Sequence, residues 1–143
     1  MQLRTEIEIL APRSAVWKVL TDFENYPEWN PFIPRIRGEL RPGAELEIII
    51  SPPEGNEMTI RPTLLVVESE TELRWRGQLW FKALFQGEHF FRLTEVAPDR
   101  TKVTHGEDFS GFLVRFLNAV FTKTARGFVY MNQALKKRVE SGG

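Results

Sequence analysis

The last quarter of the chain constrains the fold most. From Phe112 to about Glu140, the residues Leu113, Leu117, Val120, Phe121, Thr124, Phe128, Met131 and Leu135 recur at spacings of three and four. Arg115, Lys123, Arg126, Lys136, Lys137 and Arg138 fall mostly on the other faces, the pattern of one amphipathic helix. Ser110 is the expected N-cap and Gly142 lies beyond the end. Such a helix of roughly 28 residues is about 40 Å long. It needs a long apolar partner, and the only candidate upstream is the inner face of a sheet. The surplus of Lys and Arg near its end complements the helix dipole from a solvated face.

The strand signals come in series. In "QLRTEIEIL" the set Leu3, Thr5, Ile7, Ile9 alternates with Arg4, Glu6, Glu8, a strand with one buried face. Pro12 opens a short helix over Ala11–Thr21 in which Val16, Trp17, Val19 and Leu20 hold helical spacing. "IPRIRGEL", "AELEIIIS", "EMTIRPTLLVVESE", "TELRWRGQLWF", "FQGEHFFRLTEVA" and "RTKVTHGEDFSG" follow, separated mostly by turn residues. That makes seven strands, with an unmarked break around Lys82 and Ala83 and a bulge or bend expected at Pro62, which cannot donate to a sheet ladder. Between the first helix and the second strand stands "NYPEWNPFIP". Its three prolines deny a helix and force a turn. Trp29, Phe32 and Ile33 should be buried against one end of the sheet, with the Tyr26 hydroxyl near water.

Composition narrows the function. With 143 residues and 42% hydrophobic content, the chain is expected to form one domain, 1–143, with a sizeable core. Nineteen basic residues balance nineteen acidic ones, so no net positive field exists to hold nucleic acid. The absence of cysteine removes thiolate nucleophiles and most structural zinc sites. No Gly-x-Ser-x-Gly elbow or glycine-rich phosphate loop is present. No apolar run is long enough to span a membrane and the first residues lack an apolar leader, so stable membrane insertion is not expected and a cytoplasmic protein is.

The order of elements, together with "APRSAVWKVLTDFENYPEWNPFI", "LRWRG", "FQGEHFFRL", "TKVTHGEDFSG" and "GFVYMNQALKKRVE", resembles the Bet v 1-like and START-related (SRPBCC) superfamily, most of all its polyketide cyclase/dehydrase and lipid-transport branch. The resemblance implies an α+β helix-grip fold: a seven-stranded curved antiparallel sheet wrapped around the long C-terminal helix, with two short helices between strands 1 and 2. It also implies a cavity between sheet and helix. Members of the superfamily range from carriers of sterols, lipids, quinones and hormones to aromatases and cyclases, and the fold alone does not choose among them.

Parity then names the residues facing such a cavity: Leu73, Trp75, Gly77 and Leu79 on one strand, Phe85, Gly87, His89, Phe91 and Leu93 on the next, and Val103, His105, Glu107 and Phe109 on the last. With the aromatic bracket and helix, the expected ligand contacts are Trp29, Phe32, Trp75, His89, Phe91, His105, Glu107, Phe109, Phe121 and Phe128. His89, His105 and Glu107 are the candidate catalytic groups, since burial and mutual contact push such pKa values toward neutrality. If the turn at Pro98 and Asp99 sets Phe91 opposite Glu107, then His89 reaches that carboxylate diagonally. The cavity is dominated by Trp, Phe, Leu and Val, and no cofactor or metal is expected. The leading reading is therefore a module that binds a small hydrophobic molecule (lipid, isoprenoid, quinone or polyketide-like). The alternative is a polyketide cyclase or aromatase using the His and Glu residues as acid and base. A third reading, a protein-docking module, requires Trp29 and Phe32 to be exposed.

Overall fold

The computed structural model describes residues 1–78 and 84–143; the break expected around Lys82 and Ala83 lies outside the described residues. Strand β1 (Gln2–Ile9) is followed by helix α1 (Arg13–Thr21) and a 3-10 helix (Phe23–Glu28). Strands β2 (Arg35–Arg37), β3 (Glu47–Ile50), β4 (Met58–Ile60), β5 (Thr63–Glu68), β6 (Glu72–Gln78), β7 (Gln86–Ala97) and β8 (Arg100–Ser110) come next. A second 3-10 helix (Phe112–Phe116) leads into helix α2 (Asn118–Glu140). Five strands form one antiparallel sheet in the order β1-β8-β7-β6-β5, and β2-β3-β4 form a second. The fold is α+β, a curved antiparallel sheet with the long C-terminal helix against it.

Among the described residues eight strands stand where seven were expected, because "EMTIRPTLLVVESE" is cut in two. Pro62 has no N–H to offer a neighbour, and the ladder of β3 with β4 ends at Ile60. The chain is still held across the break: Leu46 donates its N–H to the Pro62 carbonyl at 2.8 Å and Leu64 to that of Ala44 at 2.8 Å. These bonds join the two sheets at a bend.

The proline-rich bracket is organised by one side chain. Asn30 Oδ1 accepts from the backbone N–H of Phe32 (3.0 Å) and of Ile33 (2.8 Å), which closes the turn its prolines begin. Phe32 and Ile33 are buried and Trp29 is half-buried. The Tyr26 hydroxyl is not near water as expected. It is fully buried and donates to the Leu20 carbonyl at 2.5 Å, so the 3-10 helix and α1 are pinned together. Burial, with the nearby Asp22 charge, holds the Tyr26 phenol far above its ordinary range.

The helix also differs from its sequence reading. Its α-helical part begins at Asn118, and Ser110 closes β8 instead of capping it. Gly111 adopts φ +108°, open to glycine, and the Leu113 N–H bonds the Leu84 carbonyl at 2.9 Å. This bond diverts the chain into a 3-10 turn in which Phe112 and Phe116 are 56% and 66% exposed. From there Phe121, Phe128, Met131, Leu135 and Val139 form the buried stripe, with Val139 beside α1. Gly127 allows the closest approach, since a Cβ there would strike the Phe32 ring. Burying this stripe supplies much of the drive for folding, at about 25 cal/mol per Å² of apolar surface.

The β7–β8 hairpin sets the register of the candidate site. Ala97 pairs Arg100 across a two-residue turn, and a bulge between Glu95 and Ala97 shifts the ladder by one. Without the shift, inward residues of β7 would oppose outward residues of β8. With it, Phe91 pairs His105 and His89 pairs Glu107. His89 is thus directly across from Glu107, not diagonal to it with Phe91 opposite.

Candidate functional site

Two histidines and a glutamate of β7 and β8 share the inner face, as parity requires, and form a continuous chain. Glu107 Oε1 lies 3.0 Å from His89 Nδ1. His89 Nε2 lies 2.8 Å from His105 Nε2. His105 Nδ1 lies 2.8 Å from Asn132 Oδ1 on α2, and Asn132 Nδ2 donates to Thr5 Oγ1 of β1 at 2.8 Å. Thr5 in turn donates to the His105 carbonyl at 2.8 Å. All four ring nitrogens therefore have partners. The two Nε2 atoms are too close together for a zinc ion to lie between them, since ligands at about 2.0–2.1 Å from a metal stand more than about 3 Å apart. Among the described residues no metal-binding cluster of His, Cys, Asp or Glu occurs.

The walls are aromatic. The Trp75 indole stacks on His89 with centroids 4.8 Å apart and planes 4° from parallel. His105 lies between Phe91, at 4.3 Å, and Phe128, at 4.2 Å. In these surroundings charge is disfavoured. Burial pushes His89 down to about 3. Burial also lowers His105 well below its usual value, and a charge on His89 would lower it further, against the opposing hydrogen bonds to Asn132 and the Phe128 backbone. Glu107 is pushed up to about 8 by burial, with Asp108 adding to the effect. Its side chain keeps 19% of its surface, and water at that end works against the shift. At neutral pH the chain carries no charge.

Glu107 is where the network reaches open space. Its Oε2 leans over Gly87, where a Cβ would collide with it. Gly87 pairs Gly77 on β6, and a methyl group added at Gly77 would have Pro62 Cβ, at 3.8 Å, as its nearest neighbour among the described residues. Two glycines side by side keep the inner face free of side chains there: the Glu107 carboxyl occupies the space over Gly87, and among the described residues the space over Gly77 is left as a small hollow beside Oε2. Phe109 borders it, packed on Phe121 at 4.5 Å and on Phe85 at 5.6 Å.

Of the expected contacts, Trp75, His89, Phe91, His105, Glu107 and Phe128 come together. Phe109 and Phe121 line the adjoining end, and Phe32 reaches the site through Phe128, whose ring it meets edge-on at 5.5 Å. Trp29 does not join them. It lines a groove of about 230 Å³ between α1 and the end of α2, with Lys18, Asp22, Asn25 and Arg138. Phe32 is buried, contrary to what a docking module requires. Thr5 and Asn132 are the members that sequence reasoning missed. Their signal was a polar residue in the apolar parity set of β1, and an amide four residues after Phe128 on the helix stripe.

A model of the polyketide cyclase / dehydrase and lipid transport family matches residues 1–140. The chain belongs to that family. No curated protein matches the sequence. Among solved structures, it is similar to a START superfamily protein from Mycobacterium smegmatis, with 20% identity, 98% of this chain and 97% of that one covered, and a TM-score of 0.75. It is also similar to the ZhuI aromatase/cyclase from Streptomyces sp. R1128, with 17% identity, 100% and 98% covered, and a TM-score of 0.75. At these identities the likeness is one of fold. Among the described residues, no helix is long and apolar enough to cross a membrane.

Proposed function

We propose that this member of the polyketide cyclase / dehydrase and lipid transport family binds a small, largely apolar molecule on the inner face of the sheet. The apolar part would lie against Phe109 and Phe121, with one polar group at Glu107. The observation that carries this reading is the saturation of the network. His89 and His105 spend every nitrogen on each other, Glu107 and Asn132, and both are held neutral by burial. Such rings cannot take a substrate proton at neutral pH, which weakens the two-histidine acid–base scheme. Native mass spectrometry of protein purified gently from its own source, followed by organic extraction, tests the proposal. A stoichiometric apolar mass supports it, and an empty protein that turns over a polyketide substrate contradicts it.

A second reading has one observation in its favour. A carboxyl group with a pKa of about 8 is protonated at neutral pH and suited to act as a general acid, as cyclisation with loss of water requires. Turnover abolished in Glu107→Gln would select that reading.

A further inference from the structure

The hydrogen bonds of the inner face run in a single direction. Thr5 gives its only proton to the His105 carbonyl, so toward Asn132 it is an acceptor and the Asn132 amide nitrogen is the donor. The Asn132 carbonyl oxygen therefore faces His105 Nδ1, and that nitrogen carries a proton. A neutral His105 then accepts at Nε2, so His89 donates from Nε2. A neutral His89 accepts at Nδ1, so the proton between His89 and Glu107 belongs to Glu107 Oε1. Thr5 on the neighbouring strand β1 and Asn132 on α2 decide the state of the carboxyl group.

We propose that Glu107 thus presents Oε2 as a hydrogen-bond acceptor beside the hollow over Gly77, and that the ligand is an uncharged apolar molecule carrying a hydroxyl group that donates to it. The proposal rests on the ligand-binding reading above and names the class of ligand. A carboxylate would set acceptor against acceptor at Oε2. Nor would it find a counter-ion among the described residues of the inner face: on β1, β6, β7 and β8 the inward residues have odd numbers, while Arg4, Arg74, Arg76, Arg92, Arg100 and Lys102 all have even ones. The titratable groups around Glu107 among the described residues are His89 across the ladder, His105 beyond it, and Asp108 on the opposite face. From α2 the sheet meets Phe121, Phe128 and Asn132. An ether or ketone of the same shape would leave Oε2 without a donor, losing one hydrogen bond, or about tenfold in affinity.

Calorimetric titration of the whole protein near pH 6.5 with 2-naphthol, 2-methoxynaphthalene and 2-naphthoate tests this. The expected order is 2-naphthol first, 2-methoxynaphthalene about tenfold weaker, and 2-naphthoate weakest. Glu107→Gln should keep that order, because its amide can donate to His89 and its carbonyl can take the place of Oε2. Glu107→Leu should lose it, and Gly77→Val, which fills the hollow, should weaken 2-naphthol. Nitrogen-15 spectra of the two histidines provide a readout free of any ligand, with His89 expected as the Nε2–H tautomer and His105 as Nδ1–H. Equal binding of naphthol and its methyl ether would overturn the inference while leaving the ligand-binding reading intact. Reversed tautomers would overturn it as well. Binding of none of the three probes would remove both.

Discussion

Strands β7 and β8 take part in two polar networks, one on each face of the sheet, and the two have opposite character. On the outer face Arg74, its side chain 15% exposed, reaches Glu72 at 3.0 Å, Glu88 at 3.2 Å and Asp108 at 3.3 Å. Arg92 also reaches Glu72 at 3.0 Å. The two guanidinium groups lie over the Phe90 ring at 4.7 and 5.2 Å, and Phe90 fits there because Gly106 beneath it has no side chain. Burial raises Glu72, but hydrogen bonds from Arg74 and Arg92 outweigh it and hold the carboxylate below its ordinary value. On the inner face Glu107 has no cation within reach among the described residues, and burial drives it the other way. Glu88 is adjacent in sequence to His89, and Asp108 to Glu107, yet each pair is divided between the two faces. A strand's parity, by choosing the dielectric and the partners, decides whether a carboxyl group is a charge or a neutral hydrogen-bonding group.

The contrast depends first on keeping the inner face dry. Phe128→Ala removes the ring that covers His105 and should cost about 3–5 kcal/mol, read from chemical denaturation, with the His105 pKa rising toward its ordinary value as water enters. Next is the amide that orders the network. Asn132→Leu takes the side-chain acceptor from the buried His105 Nδ1–H, a loss of about 1–3 kcal/mol, measured in the same way.

A third effect follows from proton linkage. His89 and His105 are neutral in the fold but protonate in the unfolded chain below about 6.5, so they make stability rise with pH up to that value. Glu107 stays protonated in the fold up to about 8 while the unfolded chain has already lost that proton, so its contribution falls as pH rises between about 4.3 and 8. Between about 6.5 and 8 Glu107 acts without the histidines. Stability should decline there by at most about 1.4 kcal/mol per pH unit, and Glu107→Gln should remove the decline. Thermal unfolding across that pH range in both proteins checks it. The smallest effect belongs to the outer face: Arg74→Ala should cost about 1 kcal/mol and depend on salt, because water can solvate the carboxylates it leaves behind.

Much of this architecture was legible in the residues. The alternation of β1, the stripe on α2 and the odd-numbered inner sets each follow from a period that a single sequence displays, and together they placed His89, His105 and Glu107 on one face. Three things were not legible. The partner of His89 depended on a bulge at Val96, and nothing local to "TEVAPDR" distinguishes a bulged ladder from a regular one. The start of α2 depended on a long-range bond between Leu113 and Leu84, which helical spacing does not reveal. Asn132 and Thr5 entered the network through contacts 127 residues apart in sequence. Trp29 shows the opposite failure: the composition of its segment suggested the ligand site, whereas the turn closed by Asn30 leaves it against α1.

The central claim is that the inner-face network is neutral at physiological pH with its proton on Glu107. Carbon-13 observation of the Glu107 carboxyl group through a pH titration, alongside the nitrogen-15 signals of His89 and His105, tests it most directly. The account predicts a carboxyl that ionises near pH 8 while both rings stay neutral from pH 5 upward. A carboxyl that ionises near its ordinary value of about 4.3, beside a protonated His89, would contradict it.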